Sequence, residues 1–190
     1  NYYHAVSGTS ASAIPASTWS TGSTCNITGF GGGTVAPTGF TGVNFSNLIW
    51  NCTTQAGDID LDFLGMAVNI VNVFTITSTG SAALRFTGAG TVAISTANYV
   101  QTGGTIVLQS STGATTLTVT GSFSQTGGTI DFAGCGASAG TATLTVKGNL
   151  TKGAASTWSS SSTNTTSVMN VQFNGNASQL VSVAGAWGIT

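Results

Sequence analysis

Three aspartates occupy alternate positions of one short stretch, DIDLDF, at Asp58, Asp60 and Asp62. Side chains on a strand point to opposite faces in turn, so the carboxylates share one face and Ile59, Leu61 and Phe63 share the other. A calcium ion takes hard oxygen ligands of this kind, but the carbonyl-rich loop and closing Glu of an EF-hand are missing. The expected role is a solvated strand face; no metal centre is expected, and these three residues are the candidates for a bound cation. His4, the one histidine, stands near Tyr2 and Tyr3 with no local nucleophile elbow and no orienting acid, so it is not expected to act as the base of a triad. Arg85 and Asp131 are placed to pair across a sheet face. No catalytic or cofactor-binding residue emerges.

Cys25, Cys52 and Cys135 show no C-x-x-C spacing, and one His cannot complete a Cys/His zinc set. In an oxidising compartment the favoured disulfide joins Cys25 to Cys52, each beside an Asn in a strand-like context (STCNIT, IWNCTT). Three unpaired, buried small residues is the alternative. Six Asn-x-Ser/Thr sequons, at Asn26, Asn44, Asn51, Asn149, Asn164 and Asn176, are candidate glycosylation sites, and the Ser/Thr run STWSSSSTNTTS offers O-linked ones. Sugars would supply the polarity that charge does not.

The elements that would carry these groups follow from composition. Only Arg85, Lys147, Lys152, Asp58, Asp60, Asp62 and Asp131 are formally charged, for a net charge of −1. That excludes the Lys/Arg cluster a nucleic-acid partner requires. The longest nearly apolar stretch, FLGMAVNIVNVF, is too short to insert in a membrane as a helix, which needs about 20 apolar residues. The chain starts at Asn1 without Met or a basic n-region, which fits a processed mature chain or a segment of a longer one. Counts of 34 Thr, 23 Ser and 27 Gly, with no Glu at all, favour strands and turns over helices.

YVQTGGTI at Tyr99 to Ile106 returns as FSQTGGTI at Phe123 to Ile130, and LTVTGSFSQ at Leu117 is echoed by LTVKGNLTK at Leu144. Each unit runs an alternating strand into an aromatic residue or Leu (Phe74, Tyr99, Phe123, Leu150). In three of them a Thr/Gly turn and a second strand follow, ending near Phe86, Leu108 or Phe132. Self-similarity at this period marks a repeat fold. The predicted architecture is an all-β, parallel β-helix-like β-solenoid of 24–27-residue coils over residues 39–190, preceded by an irregular N-terminal cap or exchange segment over 1–38. An antiparallel β-sandwich or jelly roll is the alternative.

The stretches STWSTGSTCNITG, FSNLIWNCTTQ, FTITSTGSAALRF, SFSQTGGTIDF and VQFNGNASQLVS resemble the repetitive β-rich regions of large secreted, adhesin-like cell-surface proteins of Bacteroidota, which are typically type IX secretion substrates. The resemblance spans nearly the whole chain and implies location and build rather than chemistry. The expectation is an extracellular, non-enzymatic structural protein, a subunit of a surface filament or matrix layer. Its partner would be itself, in a head-to-tail homopolymer made through solenoid ends or strand exchange. The alternative is an adhesin or carbohydrate-binding segment that stacks glycans on Trp19, Trp50, Trp158 or Trp187. A third reading is an ice-binding solenoid, in which TIT at Thr75, TVT at Thr118 and TLT at Thr143 stack into one flat array.

Overall fold

The computed structural model describes residues 1–5, 12–31, 37–40, 42–61, 67–87, 89–134 and 139–187; Asp62 and Cys135 lie outside the described residues. The chain alternates hydroxyl and branched or aromatic side chains, and its regular elements among the described residues are all strands. They are β1 (Tyr2–Ala5), β2 (Thr24–Thr28), β3 (Asn44–Asn51), β4 (Ile59–Asp60), β5 (Ala67–Ser78), β6 (Ala83–Thr87), β7 (Thr91–Gln101) and β8 (Thr105–Gln109). The second half holds β9 (Ala114–Val119), β10 (Phe123–Gln125), β11 (Gly128–Ala133), β12 (Thr141–Val146), β13 (Leu150–Lys152), β14 (Ser156–Ser159), β15 (Val168–Phe173) and β16 (Val181–Val183). Every pairing between them is parallel, which overturns the antiparallel alternative. The fold is a β-solenoid with coils of about 25 residues.

One ladder runs the length of the molecule: Tyr2, Cys25, Leu48, Phe74, Tyr99, Phe123, Leu150 and Val181 lie in register on successive strands. A second sheet stacks β4, β6, β8, β11 and β14, aligning Leu84, Ile106, Ile130 and Trp158 against the first. Between the sheets these side chains are shielded from water, Tyr99 and Leu150 at 0% and Phe123 at 1% exposure. Burying each large one contributes on the order of 1.5–3 kcal/mol. Tyr99 and Phe123 stack nearly parallel at 5.0 Å and 10°, and Trp158 meets Phe132 edge-on at 5.5 Å.

β1 and β2 pair in register with β3, so these two strands belong to the same sheet as the later coils, and Ala13 forms a parallel bridge with Thr38. Their sequence hides this because the coil needs only inward apolar positions, here Tyr2, Cys25 and Ile27, and not the QTGG corner.

The long strands bend midway, and the bend is made in two ways. In β3 and β5 the register slips between Phe45 and Asn47 and between Ile70 and Val73, a β-bulge that leaves Val71 57% exposed. Beyond β7 the strand divides: Thr91–Thr96 pairs with β9 and Tyr99–Gln101 with β10. Gly121 and Gly148 stack at that break, and a Cβ on Gly148 would strike the Gly121 backbone.

Candidate assembly site

The repeated QTGG corner places its glutamine inward. Gln101 and Gln125 are both fully buried. The Gln101 amide nitrogen donates to the carbonyls of Gly103 and Gly104 at 3.2 Å and of Thr129 in the next coil at 3.1 Å, while its oxygen accepts the Tyr99 hydroxyl at 3.0 Å. Gln125 repeats the arrangement, donating to Gly128 O at 3.1 Å and accepting Trp158 Nε1 at 2.6 Å. Gln55, outside any QTGG copy, does the same with Gly57 O, Ala83 O and Trp50 Nε1. Each amide therefore pairs carbonyls freed by a corner with the polar hydrogen of a core aromatic ring. Gly128, at φ +77°, turns the chain there, and a Cβ on it would collide with Gly104 O. Lys152 takes the equivalent place one coil later, 2% exposed, with Nζ donating to Ser156 O at 2.7 Å. The repeat is visible in the sequence and this bracket is not; the signal was a Gln two residues after Tyr99 and again after Phe123.

The chemically active types are held apart. Arg85 forms ion pairs with Asp58 and, at 3.7 Å, with Asp60, and Asp58 also accepts from Ala83 N at 2.8 Å. These two carboxylates are thus engaged by a guanidinium, and Ile59 and Leu61 are buried behind them. Arg85 and Asp131 do share a ladder, but Val107 stands between them, so they do not pair. Asp131 instead accepts from Ala133 N, Ser161 N and the Ser161 hydroxyl, pinning the segment after β14 against its sheet. His4 is buried against Phe30, with Nδ1 3.0 Å from the Tyr2 hydroxyl; burial lowers its pKa, opposed by the Ser12 backbone.

The proposed Cys25–Cys52 disulfide is not formed: both are free, buried thiols. Cys25 stands opposite Leu48, four residues before Cys52, and four residues of strand span about 13 Å, beyond disulfide reach. Burial pushes the Cys25 thiol up to about 12 and the Cys52 thiol to about 11, the latter restrained by the Phe30 backbone. Among the sequons, Asn44, Asn149 and Asn176 are exposed and Asn164 is half-buried. Asn26 and Asn51 lie on strands with buried side-chain oxygens.

Two surface arrays expected from the sequence do not assemble. Thr116 and Thr118 stack on Thr143 and Thr145, but Thr75 belongs to another ladder, with Val100 and Ser124. The two-coil threonine patch ends at Ala93 and Ser95 on one side and at Asn170 and Gln172 on the other. Trp50 and Trp158 are 1% exposed and Trp19 is half-buried, so they offer no stacking platform; Trp187 is 43% exposed.

The first and last described coils differ from the middle ones. Phe173 and Val181 continue the inward ladders of Val146 and Leu150, yet both are 40% exposed where their predecessors are at 0%. Leu180 is 66% and Tyr3 62% exposed. Among the described residues β16 pairs with β13 alone and β1 with β2 alone. Exposed edges are ordinarily blunted with charged side chains. Here no Lys, Arg, Asp or Glu occurs before Asp58 or after Lys152. No protein-family model, curated protein or solved structure matches the chain, so the site rests on its own geometry.

Proposed function

We propose that the chain is an extracellular, non-enzymatic structural protein, a subunit of a surface filament or matrix layer joined through its solenoid ends. One observation carries the reading: the ladders that are sealed from water in the middle coils are exposed at Phe173 and Val181, in a segment without Lys, Arg, Asp or Glu. Covering such a face with one more coil removes apolar surface from water and pairs the free backbone groups at no desolvation cost from charge. The engagement of Arg85 with Asp58 and Asp60, of Asp131 with Ala133 and Ser161, and of Lys152 with the Ser156 carbonyl favours a structural role over a catalytic one. The exposed sequons at Asn44, Asn149 and Asn176 suit a secreted glycoprotein.

Sedimentation velocity with negative-stain imaging tests the reading. Particles should grow beyond the 18.8 kDa chain as concentration rises. A single monomeric species at every concentration would overturn it. A second reading, glycan binding by an adhesin segment, is favoured by one residue, the exposed Trp187, which packs edge-on to Trp158 at 5.1 Å. Glycan-array binding lost in Trp187→Ala would support that reading.

A further inference from the structure

The geometry points to a spontaneous modification site at Asn174–Gly175, where the asparagine side chain closes on the following backbone nitrogen, and to Gln179 as the group that restrains it. This goes beyond the structural reading above and does not depend on it.

The packing of the coils puts a glycine there. Gly121, Gly148 and Gly175 follow one another at the strand break of three successive coils, and a Cβ on each would collide with the coil before, at Ala97 O, Gly121 O and Lys147 O in turn. The residue before the glycine is Thr120, then Lys147, then Asn174, so only the third has a side-chain amide that can reach the next nitrogen. Asn174–Gly175 is the one Asn-Gly pair of the chain. A glycine has no Cβ to hinder the approach, and Asn174 is exposed to water. In the reaction the Gly175 nitrogen loses its proton to hydroxide and attacks Asn174 Cγ; the N–Cγ bond forms, the Cγ–Nδ2 bond breaks and ammonia leaves. Water then opens the cyclic imide at either carbonyl, giving aspartate or isoaspartate, the latter with an extra methylene in the main chain.

Gln179 holds the nucleophile. Gly175 N donates to Gln179 Oε1 at 3.1 Å, while Gln179 Nε2 donates to Val146 O at 3.0 Å and Gly148 O at 2.7 Å. The side chain thus ties Gly175 to the preceding coil and engages the hydrogen that must leave, so reaction waits on a local opening that breaks these bonds. Either product places a negative charge in the segment after Lys152, which has no Lys, Arg, Asp or Glu. Isoaspartate also shifts Gly175 out of step with Gly148.

Peptide mapping by mass spectrometry after incubation in mildly alkaline buffer tests both parts. In the denatured chain Asn174 should convert before any other asparagine, to the isomeric pair; earlier conversion elsewhere would overturn the site. The folded parent should convert about tenfold more slowly than the denatured chain, and equal rates would overturn the restraint. Gln179→Ala, shown to be folded by circular dichroism, should lose most of that protection; a rate as slow as the parent's would remove Gln179 from the restraint. Amide exchange on the parent needs no variant: Gly175 N–H should be protected, and exchange at the open-chain rate would overturn the role of Gln179.

Discussion

A buried glutamine does in this protein what a turn sequence alone does not. Gln125 holds the Gly128 carbonyl and the Trp158 indole hydrogen at once. Gln125→Ala leaves both groups buried and unpaired beside a new void, and should cost about 2–4 kcal/mol. Thermal unfolding will register this as a large drop in Tm. Lys152 occupies the same place with Ser156 O as its acceptor, so Lys152→Gln rebuilds the bracket and should be tolerated, while Lys152→Ala should destabilise. The thiols make a separate prediction. With Cys25 pushed up to about 12 and Cys52 to about 11 by burial, neither forms thiolate at pH 8. A thiol reagent should leave both unmodified in the native protein and label both after denaturation; fast native labelling of either would contradict their placement.

At the scale of elements, the terminal strand β1 carries a titratable group in its buried face. His4 is desolvated and its folded pKa lies below the ordinary 6.5, so the neutral ring is the one that fits. The stability it lends is present above pH 6.5 and is lost as pH falls through the lowered folded value. Amide exchange in β1 and β2 should therefore quicken on acidification before the middle coils respond, and His4→Phe should abolish that difference. Much of the coil was legible in the sequence, because Phe74, Tyr99, Phe123 and Leu150 announce one inward position and the structure stacks all four. The first coils were not, since Tyr2 and Cys25 fill the same position without any shared motif. The disulfide failed for a related reason: compatible local contexts at Cys25 and Cys52 say nothing about the four-residue offset that register imposes. The opened ladder at Phe173 was also hidden, because an inward residue reads the same whether or not another coil covers it.

For the whole molecule, no Lys, Arg, Asp or Glu occurs before Asp58 or after Lys152, and the proposed association should respond to solvent accordingly. Raising sodium chloride should leave it unweakened, since no charged side chain lies in those segments to be screened, and sulfate should strengthen it. Val181→Lys would place a cation in the exposed part of the ladder and should dissolve the proposed assembly at unchanged monomer fold, read by sedimentation and circular dichroism. The ladder steps also vary, from 23 residues between Tyr2 and Cys25 to 31 between Leu150 and Val181, and the surplus is absorbed between strands. Because inter-coil hydrogen bonds lie along the stacking axis, tension applied to the two ends would load them one rung at a time. A coil occupies about 4.8 Å of that axis while folded, but its 25 or so residues pay out to about 85 Å once pulled straight. A thread of such coils lengthens under force in steps of about 80 Å, absorbing work with each rung it gives up before the strand itself parts.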